Sequence, residues 1–423
     1  MKQWATRWIT GDAFRYSPYQ FAVFRIILGV YLAWHFARLV PYGTELFSSA
    51  GVLSDAAMTP TWGLFPNVLF VADWPAAVAG FLVTLTLVAL AFAAGIGRRI
   101  TALLLWYGWA CLLSRQPFIA NPGIPYIGLL LLLCAALPCG EPWKVTFGRT
   151  PKTPPSDWAM PWFVYLGVWV LLALGYSVSG FHKLESPSWP EGTAIRWLID
   201  NPLARDTYLR QVLLSMPDWV IAMKTWSALS IELLFAPLAL VAPTRKVAWL
   251  LMVLVHLGIL AIVDFADLTV GMLMVHLFTF DSRWLPAKEN MQPTIVFYDG
   301  LCGLCDGFVQ FCLEEDTKHV LRFATLQGAL AKETLGSEVA ALALETIAVR
   351  TTDGRTLERS AAVLYVLRQL GGMWRVFGVA GRVFPGPVRD LVYRGVAKNR
   401  YRIFGKLDAC RIPTPAERAQ FLD

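Results

Sequence analysis

The chain has 423 residues, a hydrophobic share of 56%, a charged share of 16%, a net charge of +7 and a mean hydropathy of +0.50. Soluble globular proteins are less apolar and more charged, so this composition excludes a protein that is soluble throughout. Seven cysteines without regular spacing exclude a disulfide-stabilised scaffold. Long apolar runs fill residues 18–285, whereas residues 293–423 have an ordinary soluble composition. The sequence therefore predicts a multi-pass transmembrane domain over residues 1–290 and a soluble domain over residues 291–423.

Eight apolar segments approach the roughly 20 residues that a transmembrane helix needs. They are residues 19–40, 76–97, 100–114, 123–138, 160–182, 219–241, 246–263 and 267–282. The third and fourth segments are short and flanked by proline. The pattern predicts a multi-pass α-helical membrane bundle of about eight spans.

Lysine and arginine concentrate in the N-terminal segment and in alternate loops, whereas loop 42–74 has neither. Loop 183–218 is an exception, but its four basic residues are balanced by five acidic ones. By the positive-inside rule, both the N-terminus and the soluble domain are expected in the cytoplasm, at the cell inner membrane. Cytoplasmic thiols are usually kept reduced.

Ionisable side chains within the predicted spans either build a buried site or lock the helices together by pairing. These side chains belong to Arg25, His35, Glu232, His256 and His276. Arg25 and Glu232 are the candidate ion pair among them.

The fifth span ends in Gly180-Phe181-His182-Lys183-Leu184, followed by Trp189 and Gly192. This pattern resembles the region around the base lysine of the vitamin-K-dependent gamma-carboxylase family. Phe24-Arg25-Ile26 with Gly29 also resembles the start of that family's transmembrane domain, known as HTTM, and the resemblance covers roughly residues 12–285. It implies that Lys183 is a catalytic base, since a desolvated amine can deprotonate a quinol.

The gamma-carboxylase resemblance is incomplete. The family's second catalytic residue, a histidine, has no counterpart in residues 118–123, and a large lumenal domain is missing. Lys183 is therefore also interpreted as an interfacial anchor or as a residue of a quinone site. The sequence assigns no cofactor, and a quinone in the membrane domain is the one candidate.

The soluble domain begins with a short buried strand, Thr294–Tyr298, bounded by the turn signal Asp299-Gly300. Cys302 and Cys305 open the helix that follows. That helix is predicted at 308–313. Further elements are predicted at 321–323 (strand), 329–344 (helix), 346–351 and 356–358 (hairpin) and 360–370 (helix). This order predicts a thioredoxin-like α/β fold.

Two thiols in the first turn of a helix indicate redox chemistry, because unpaired N–H groups and the helix dipole stabilise a thiolate there. The first cysteine of such a pair is usually the exposed one. Cys302 is therefore predicted to be the nucleophile, and Cys305 the resolving thiol. Asp299 is interpreted either as a proton acceptor for Cys305 or as the residue that shapes the turn.

The run Tyr298-Asp299-Gly300-Leu301-Cys302-Gly303-Leu304-Cys305 resembles the signature of the DCC family of predicted thiol-disulfide oxidoreductases. The resemblance covers nearly all of residues 293–423. It extends to Asp353-Gly354, Ser360-Ala361, Tyr393, Asn399-Arg400-Tyr401 and Cys410. The resemblance implies thiol-disulfide exchange with a partner protein or with a small thiol.

Other interpretations of this domain stay open. Ser360-Ala361 at a helix start is similar to the glutathione-transferase branch, in which such a serine binds a small thiol. A zinc site of Cys302, Cys305 and Cys410 is an alternative, although one CxxC supplies only two of the usual four ligands, and no metal is predicted. Cys312 is expected to be a core residue.

Basic residues recur every seven positions near the C-terminus, at Arg368, Arg375, Arg382 and Arg389. They indicate either a surface on the anionic inner leaflet or a solvated helix face. Nucleic acid is not an expected partner.

Three functions remain. The leading one is an integral membrane thiol-disulfide oxidoreductase. The second is a quinol- or lipid-modifying enzyme with Lys183 as base, and the third is a non-catalytic membrane protein that binds partners.

Overall fold

The computed structural model describes residues 14–121, 123–145, 158–264, 266–287, 293–342, 346–407, 413–415 and 417–422. The chain forms two compact units. Within the described residues, a helical unit contains 21–145 and 158–280, and a second unit contains 14–20 and everything from Asp281 onward. The predicted domain boundary after residue 290 stays a prediction.

From residue 18 to residue 279 the described chain is largely helical. Its α-helices are α1 (Pro18–Leu39), α2 (Gly43–Phe47), α3 (Pro75–Ala93), α4 (Arg98–Arg115), α5 (Gly123–Ala136), α6 (Trp162–Leu184), α7 (Ala194–Ile199), α8 (Tyr208–Leu214), α9 (Asp218–Leu240), α10 (Ala242–Ile262) and α11 (Ala266–Thr279).

Five helical segments of the described chain are long and apolar enough to cross a membrane: Pro18–Phe47, Pro75–Ala93, Trp162–Leu184, Asp218–Leu240 and Ala242–Ile262. The other three predicted spans correspond to α4, α5 and α11. Helix α4 carries Arg98, Arg99 and Arg115. Helices α5 and α11 have 14 residues each, which is about 21 Å of helix against a hydrocarbon core of about 30 Å. The structure thus shows five candidate spans where about eight were predicted.

The predicted ion pair between Arg25 and Glu232 is wrong. The Arg25 guanidinium instead donates to the carbonyls of Phe92 at 3.0 Å, Ala93 at 2.6 Å and Trp143 at 2.9 Å. Two of these carbonyls belong to the last turn of α3, where backbone oxygens have no partner within the helix. Arg25 therefore stabilises a helix end.

Glu232 on α9 pairs with Lys183 on α6. The ammonium nitrogen of Lys183 lies 2.5 Å from the Oε1 atom of Glu232, and it also lies 4.4 Å from the centre of the Trp189 ring. The two helices approach closely at Gly180, where an added Cβ would lie 2.9 Å from the backbone nitrogen of Leu233. This close packing brings the ion pair together.

The second unit contains a four-stranded mixed sheet. Its elements are β1 (Thr294–Tyr298), α12 (Gly303–Glu315), β2 (Leu321–Thr325), α13 (Ala329–Leu342), β3 (Ala348–Arg350), β4 (Thr356–Glu358), α14 (Arg359–Leu370), α15 (Gly372–Ala380) and α16 (Gly386–Phe404). The strand order is β2-β1-β3-β4. Strand β1 pairs in parallel with β2 and antiparallel with β3.

The central strand β1 is covered on both sides. Val296 and Phe297 are consecutive and fully buried, and consecutive strand residues point to opposite faces. Phe297 packs with Ala324, Leu326 and Ala348 in one core cluster. The predicted strand at residues 294–298 is confirmed, and the predicted helix after it begins earlier, at Gly303.

Replacement of Lys183 by methionine is expected to destabilise the helical unit. It would leave the Glu232 carboxylate, whose side chain is 9% exposed, without its cation. The expected loss of unfolding free energy is about 2 kcal/mol, below the loss for fully buried pairs, because Lys183 is partly solvated. Thermal unfolding in detergent checks this loss. The double variant Lys183→Met/Glu232→Gln should recover most of it, because a neutral amide is cheaper to bury; equal stability of the single and double variants would contradict the ion pair.

Candidate functional site: a dithiol at a helix N-terminus

The dithiol lies at the start of α12, the helix that follows strand β1. Cys302 is the N-cap residue of α12 and has extended backbone angles. Its backbone nitrogen donates to the carbonyl of Asp299 at 3.2 Å, and its carbonyl accepts from the nitrogen of Asp306 at 2.9 Å. The sulfur of Cys302 therefore sits beside the unpaired N–H groups of the first helical turn.

The two thiols have opposite acidities. The pKa of Cys302 is lowered from 9.0 to about 6, chiefly because the Cys305 thiol donates a hydrogen bond to it. The backbone N–H groups of Cys305 and Leu304 and the charge of Arg400 add to this effect and outweigh burial. The pKa of Cys305 is raised well above its ordinary value, because that thiol donates to Cys302 and is buried. At neutral pH the pair is one thiolate and one thiol.

The expectation that Cys302 is exposed is wrong. Cys302 is 0% exposed and Cys305 is 7% exposed. The cover is residues 404–407, a segment that begins at the last residue of α16 and that we call the strap. The Leu407 nitrogen donates to the Leu301 carbonyl at 2.9 Å, and the Gly303 nitrogen donates to the Gly405 carbonyl at 3.3 Å. The strap thus pairs, strand-like, with the loop that carries Cys302.

The Asp299 carboxylate organises the same loop. Its Oδ1 atom accepts from the Leu301 nitrogen at 3.0 Å and from the Gln327 amide at 3.1 Å. Its Oδ2 atom accepts from the Tyr401 hydroxyl and from Arg400, the latter at 3.2 Å. Burial alone would raise the pKa of Asp299, but these four donors outweigh it and hold the pKa below its ordinary value.

Arg400 and Tyr401 are site residues that the sequence reasoning did not single out. Both appeared there only as part of a family resemblance. Arg400 is buried on a helix whose other described residues are largely solvated. A buried arginine needs a partner, and here the partner is Asp299.

A cavity of about 130 Å³ opens beside the second thiol. Cys305, Asp299 and Arg400 supply polar groups to its wall, and Phe308, Tyr393 and Val396 supply apolar surface. Ser360, predicted as a candidate thiol-binding residue, does not line this cavity and donates to the Asp390 carboxylate at 2.5 Å.

The structure places Cys302, Cys305 and Asp299 together in the second unit, whereas Lys183 belongs to the helical unit. Cys312 is fully buried, as expected for a core residue. Among the described residues, no three His, Cys, Asp or Glu side chains are grouped to hold a metal ion. Cys410 lies outside the described residues, so the zinc alternative stays untested.

A family model described as DCC1-like thiol-disulfide oxidoreductase matches residues 296–406. The chain is 36% identical over 135 residues to the uncharacterized protein YuxK of Bacillus subtilis, which covers 32% of this chain and 98% of YuxK. The chain belongs to the DCC1-like family. It is also 31% identical over 125 residues to a chloroplastic DCC family protein of Arabidopsis thaliana, which covers 30% of this chain and 72% of that protein. No solved structure matches the chain.

The DCC1-like match includes Asp299, Cys302, Cys305, Arg400 and Tyr401, together with most of the strap. It includes none of the helical unit. The resemblance of that unit to the HTTM domain therefore stays a prediction.

The hydrogen bond from Cys305 to Cys302 can be tested by titrating the ultraviolet absorbance of the thiolate. The signal lost in Cys302→Ser should titrate near pH 6 in the native protein, with the thiolate present above that pH. Cys305→Ala removes the donor and should move the midpoint towards 9.0. Cys305→Ser keeps an O–H donor and should leave the midpoint near its native value, so identical midpoints in the Ala and Ser variants would contradict this origin of the shift.

The strap can be displaced by one methyl group. A Cβ on Gly303 would lie 2.4 Å from the Phe404 carbonyl oxygen, whereas a Cβ on Gly307 of the same helix would meet nothing within 4 Å. Gly303→Ala should therefore speed maleimide alkylation of Cys302 by about tenfold, which corresponds to ~1.4 kcal/mol of strap stability. Gly307→Ala is the matched control, and equal rates in the two variants would show that the strap does not limit access.

Proposed function

We propose that this protein is an integral membrane thiol-disulfide oxidoreductase that exchanges electrons with a partner disulfide through Cys302. The observation that carries the proposal is the split acidity of the pair, with the Cys302 pKa at about 6 and the Cys305 pKa raised. An attacking thiol must be ionised, and its resolving partner must wait as a thiol. The site meets both conditions at neutral pH.

The exchange proceeds in two substitutions. The Cys302 thiolate attacks one sulfur of the partner disulfide, so a mixed disulfide forms and one partner thiolate leaves. Consumption of the Cys302 charge removes the main reason for the raised Cys305 pKa, which is donation to that sulfur. Cys305 then passes its proton to the departed thiolate and attacks Cys302. The Cys302–Cys305 disulfide forms, and the partner leaves with one thiol and one thiolate, having gained two electrons.

Asp299 acts in this scheme as a positioning residue. Its carboxylate already accepts four hydrogen bonds, and its pKa is held low, so it is a weak acceptor for the Cys305 proton. Its bond to the Leu301 nitrogen shapes the turn before Cys302. This arrangement supports the second of the two roles considered for Asp299.

The cavity beside Cys305 supports a partner that presents an apolar group next to its sulfur. Phe308 and Val396 line the cavity, and the Arg400 guanidinium at its edge favours a nearby anion. A small thiol or a peptide cysteine with an apolar neighbour meets these conditions. The strap must open before either can reach Cys302.

We propose a thioredoxin-like fold for the DCC1-like domain. The strand–CxxC–helix–strand segment is followed by a hairpin and a helix, and the central pair β1 and β2 is parallel. The connection from β1 through α12 to β2 is the usual crossover for such a pair.

The sidedness of the domain follows from the basic loops, and we propose that both chain ends are cytoplasmic. Five crossings would place the two ends on opposite sides. The proposal therefore requires that an odd number of the helices α4, α5 and α11 also cross. Exposed Phe384 and Leu391 beside Arg382 and Arg389 support contact of the domain with the anionic inner leaflet.

For the helical unit, we propose a quinone or a similar lipid-phase molecule as ligand. The Lys183 ammonium nitrogen contacts both the Glu232 carboxylate and the Trp189 ring, so its side chain is held between helices α6 and α9. This supports an anchoring role rather than that of a neutral base.

Thiol exchange by the full-length protein in nanodiscs tests the proposal. Cys302→Ser should abolish reduction of a model disulfide, because it removes the attacking sulfur. Cys305→Ser should instead accumulate a mixed disulfide at Cys302, visible by mass spectrometry. The matched control is Cys139→Ser, which removes an exposed thiol of the helical unit. Unchanged turnover in the Cys302 variant would leave a non-catalytic partner-binding role.

A further inference from the structure

Three aromatic side chains from three helices meet inside the helical unit. The Tyr176 hydroxyl of α6 lies 2.7 Å from the Nε2 atom of His256 on α10 and 2.7 Å from the Nε2 atom of His276 on α11. The exposed fractions of the three side chains are 5%, 6% and 1%. Thiol exchange at Cys302 uses none of them.

The number of protons available to the three side chains determines which of their atoms are protonated. A tyrosine hydroxyl has one proton, and a neutral imidazole carries a proton on only one nitrogen. Tyr176 therefore donates to one histidine and accepts an Nε2–H bond from the other. The two neutral imidazoles must be opposite tautomers, so one has a protonated Nδ1 and the other a bare Nδ1.

The ring nitrogen of each histidine that does not face Tyr176 is its Nδ1 atom. Neither the Nδ1 atom of His256 nor that of His276 has a hydrogen-bond partner among the described residues. A buried polar atom without a partner costs about 1–3 kcal/mol. The triad therefore offers one donor and one acceptor to a molecule that can both accept and donate.

The surroundings are aromatic. The Phe235 ring centre lies 4.8 Å from that of Tyr176, and the Trp249 ring centre lies 5.6 Å from that of His276. The Trp249 indole also donates to the His276 carbonyl at 3.0 Å, which fixes the wall of the site. Flat rings with oxygen substituents suit this environment.

We propose that Tyr176, His256 and His276 form a proton relay that binds a lipid-phase ring with hydroxyl or carbonyl oxygens, of the quinol or quinone type. This proposal rests on the ligand proposed above for the helical unit and names the residues that bind it. It does not depend on the dithiol. A ligand hydroxyl gives its proton to the bare Nδ1, and that histidine passes its Nε2 proton to Tyr176. Tyr176 passes its own proton to the second histidine, whose Nδ1 proton leaves to an acceptor oxygen. One proton crosses the triad, both tautomers exchange, and no electron moves.

The tautomer pair can be observed by ¹⁵N NMR of the imidazole rings in the full-length protein in nanodiscs. The chain has only 5 histidines, so selective histidine labelling gives few signals. His256→Gln and His276→Gln assign them. The expected result is Nδ1–H for one of the two residues and Nε2–H for the other. The same tautomer in both would overturn the relay.

Tyr176→Phe removes one oxygen and should shift the Nε2 signals of both histidines. Tyr165→Phe is the matched control, because Tyr165 is also buried on α6 but its hydroxyl donates to the backbone carbonyl of Thr279. Unchanged histidine signals in Tyr176→Phe would overturn the bridge.

Titration with a short-chain ubiquinone and its quinol tests the ligand. Saturable shifts of both Nδ1 signals are expected, with affinity about tenfold weaker in Tyr176→Phe than in Tyr165→Phe. Absence of any Nδ1 shift would overturn the proposed ligand. These measurements involve no thiol chemistry, so their failure would leave the proposal for Cys302 and Cys305 intact.

Discussion

The buried Asp299 carboxylate is the constraint on which the dithiol site depends. Four donors converge on it, from the loop itself, from Gln327 after β2 and from Arg400 and Tyr401 on α16. A buried charge is tolerated only when it is paired and hydrogen-bonded, so the loop cannot shift without exposing that charge. The network therefore fixes Cys302 at the N-terminus of α12 and joins elements about 100 residues apart.

The same network sets the electrostatics of the sulfurs. Arg400 neutralises Asp299 and still lowers the Cys302 pKa, so the loop carries a carboxylate without repelling the thiolate. The more acidic thiol and the thiol beside the cavity belong to different residues. Cys302 lies beneath the strap, whereas Cys305 borders the cavity. An ionised sulfur that is covered in this way is protected from unselective oxidation.

Local patterns in the sequence were sufficient for the elements around the dithiol. A short apolar run, a turn signal and two spaced cysteines located β1 and the start of α12, because those features act between near neighbours. Burial of Cys302 was missed because its cover lies about 100 residues further along the chain. Arg25 and Glu232 were paired wrongly for the same reason: hydropathy shows which side chains are buried but not which ones meet. Tyr176, an ordinary aromatic residue in an apolar run, gave no signal of its place between two histidines.

The central claim is that Cys302 and Cys305 cycle between dithiol and disulfide. The most direct test is to equilibrate the full-length protein in nanodiscs with glutathione buffers of graded potential, quench with acid and weigh the peptide that holds both residues. The account predicts that this peptide loses two hydrogen atoms in a single two-electron transition. A peptide whose mass stays unchanged across the whole range, or that gains only glutathione, would contradict it.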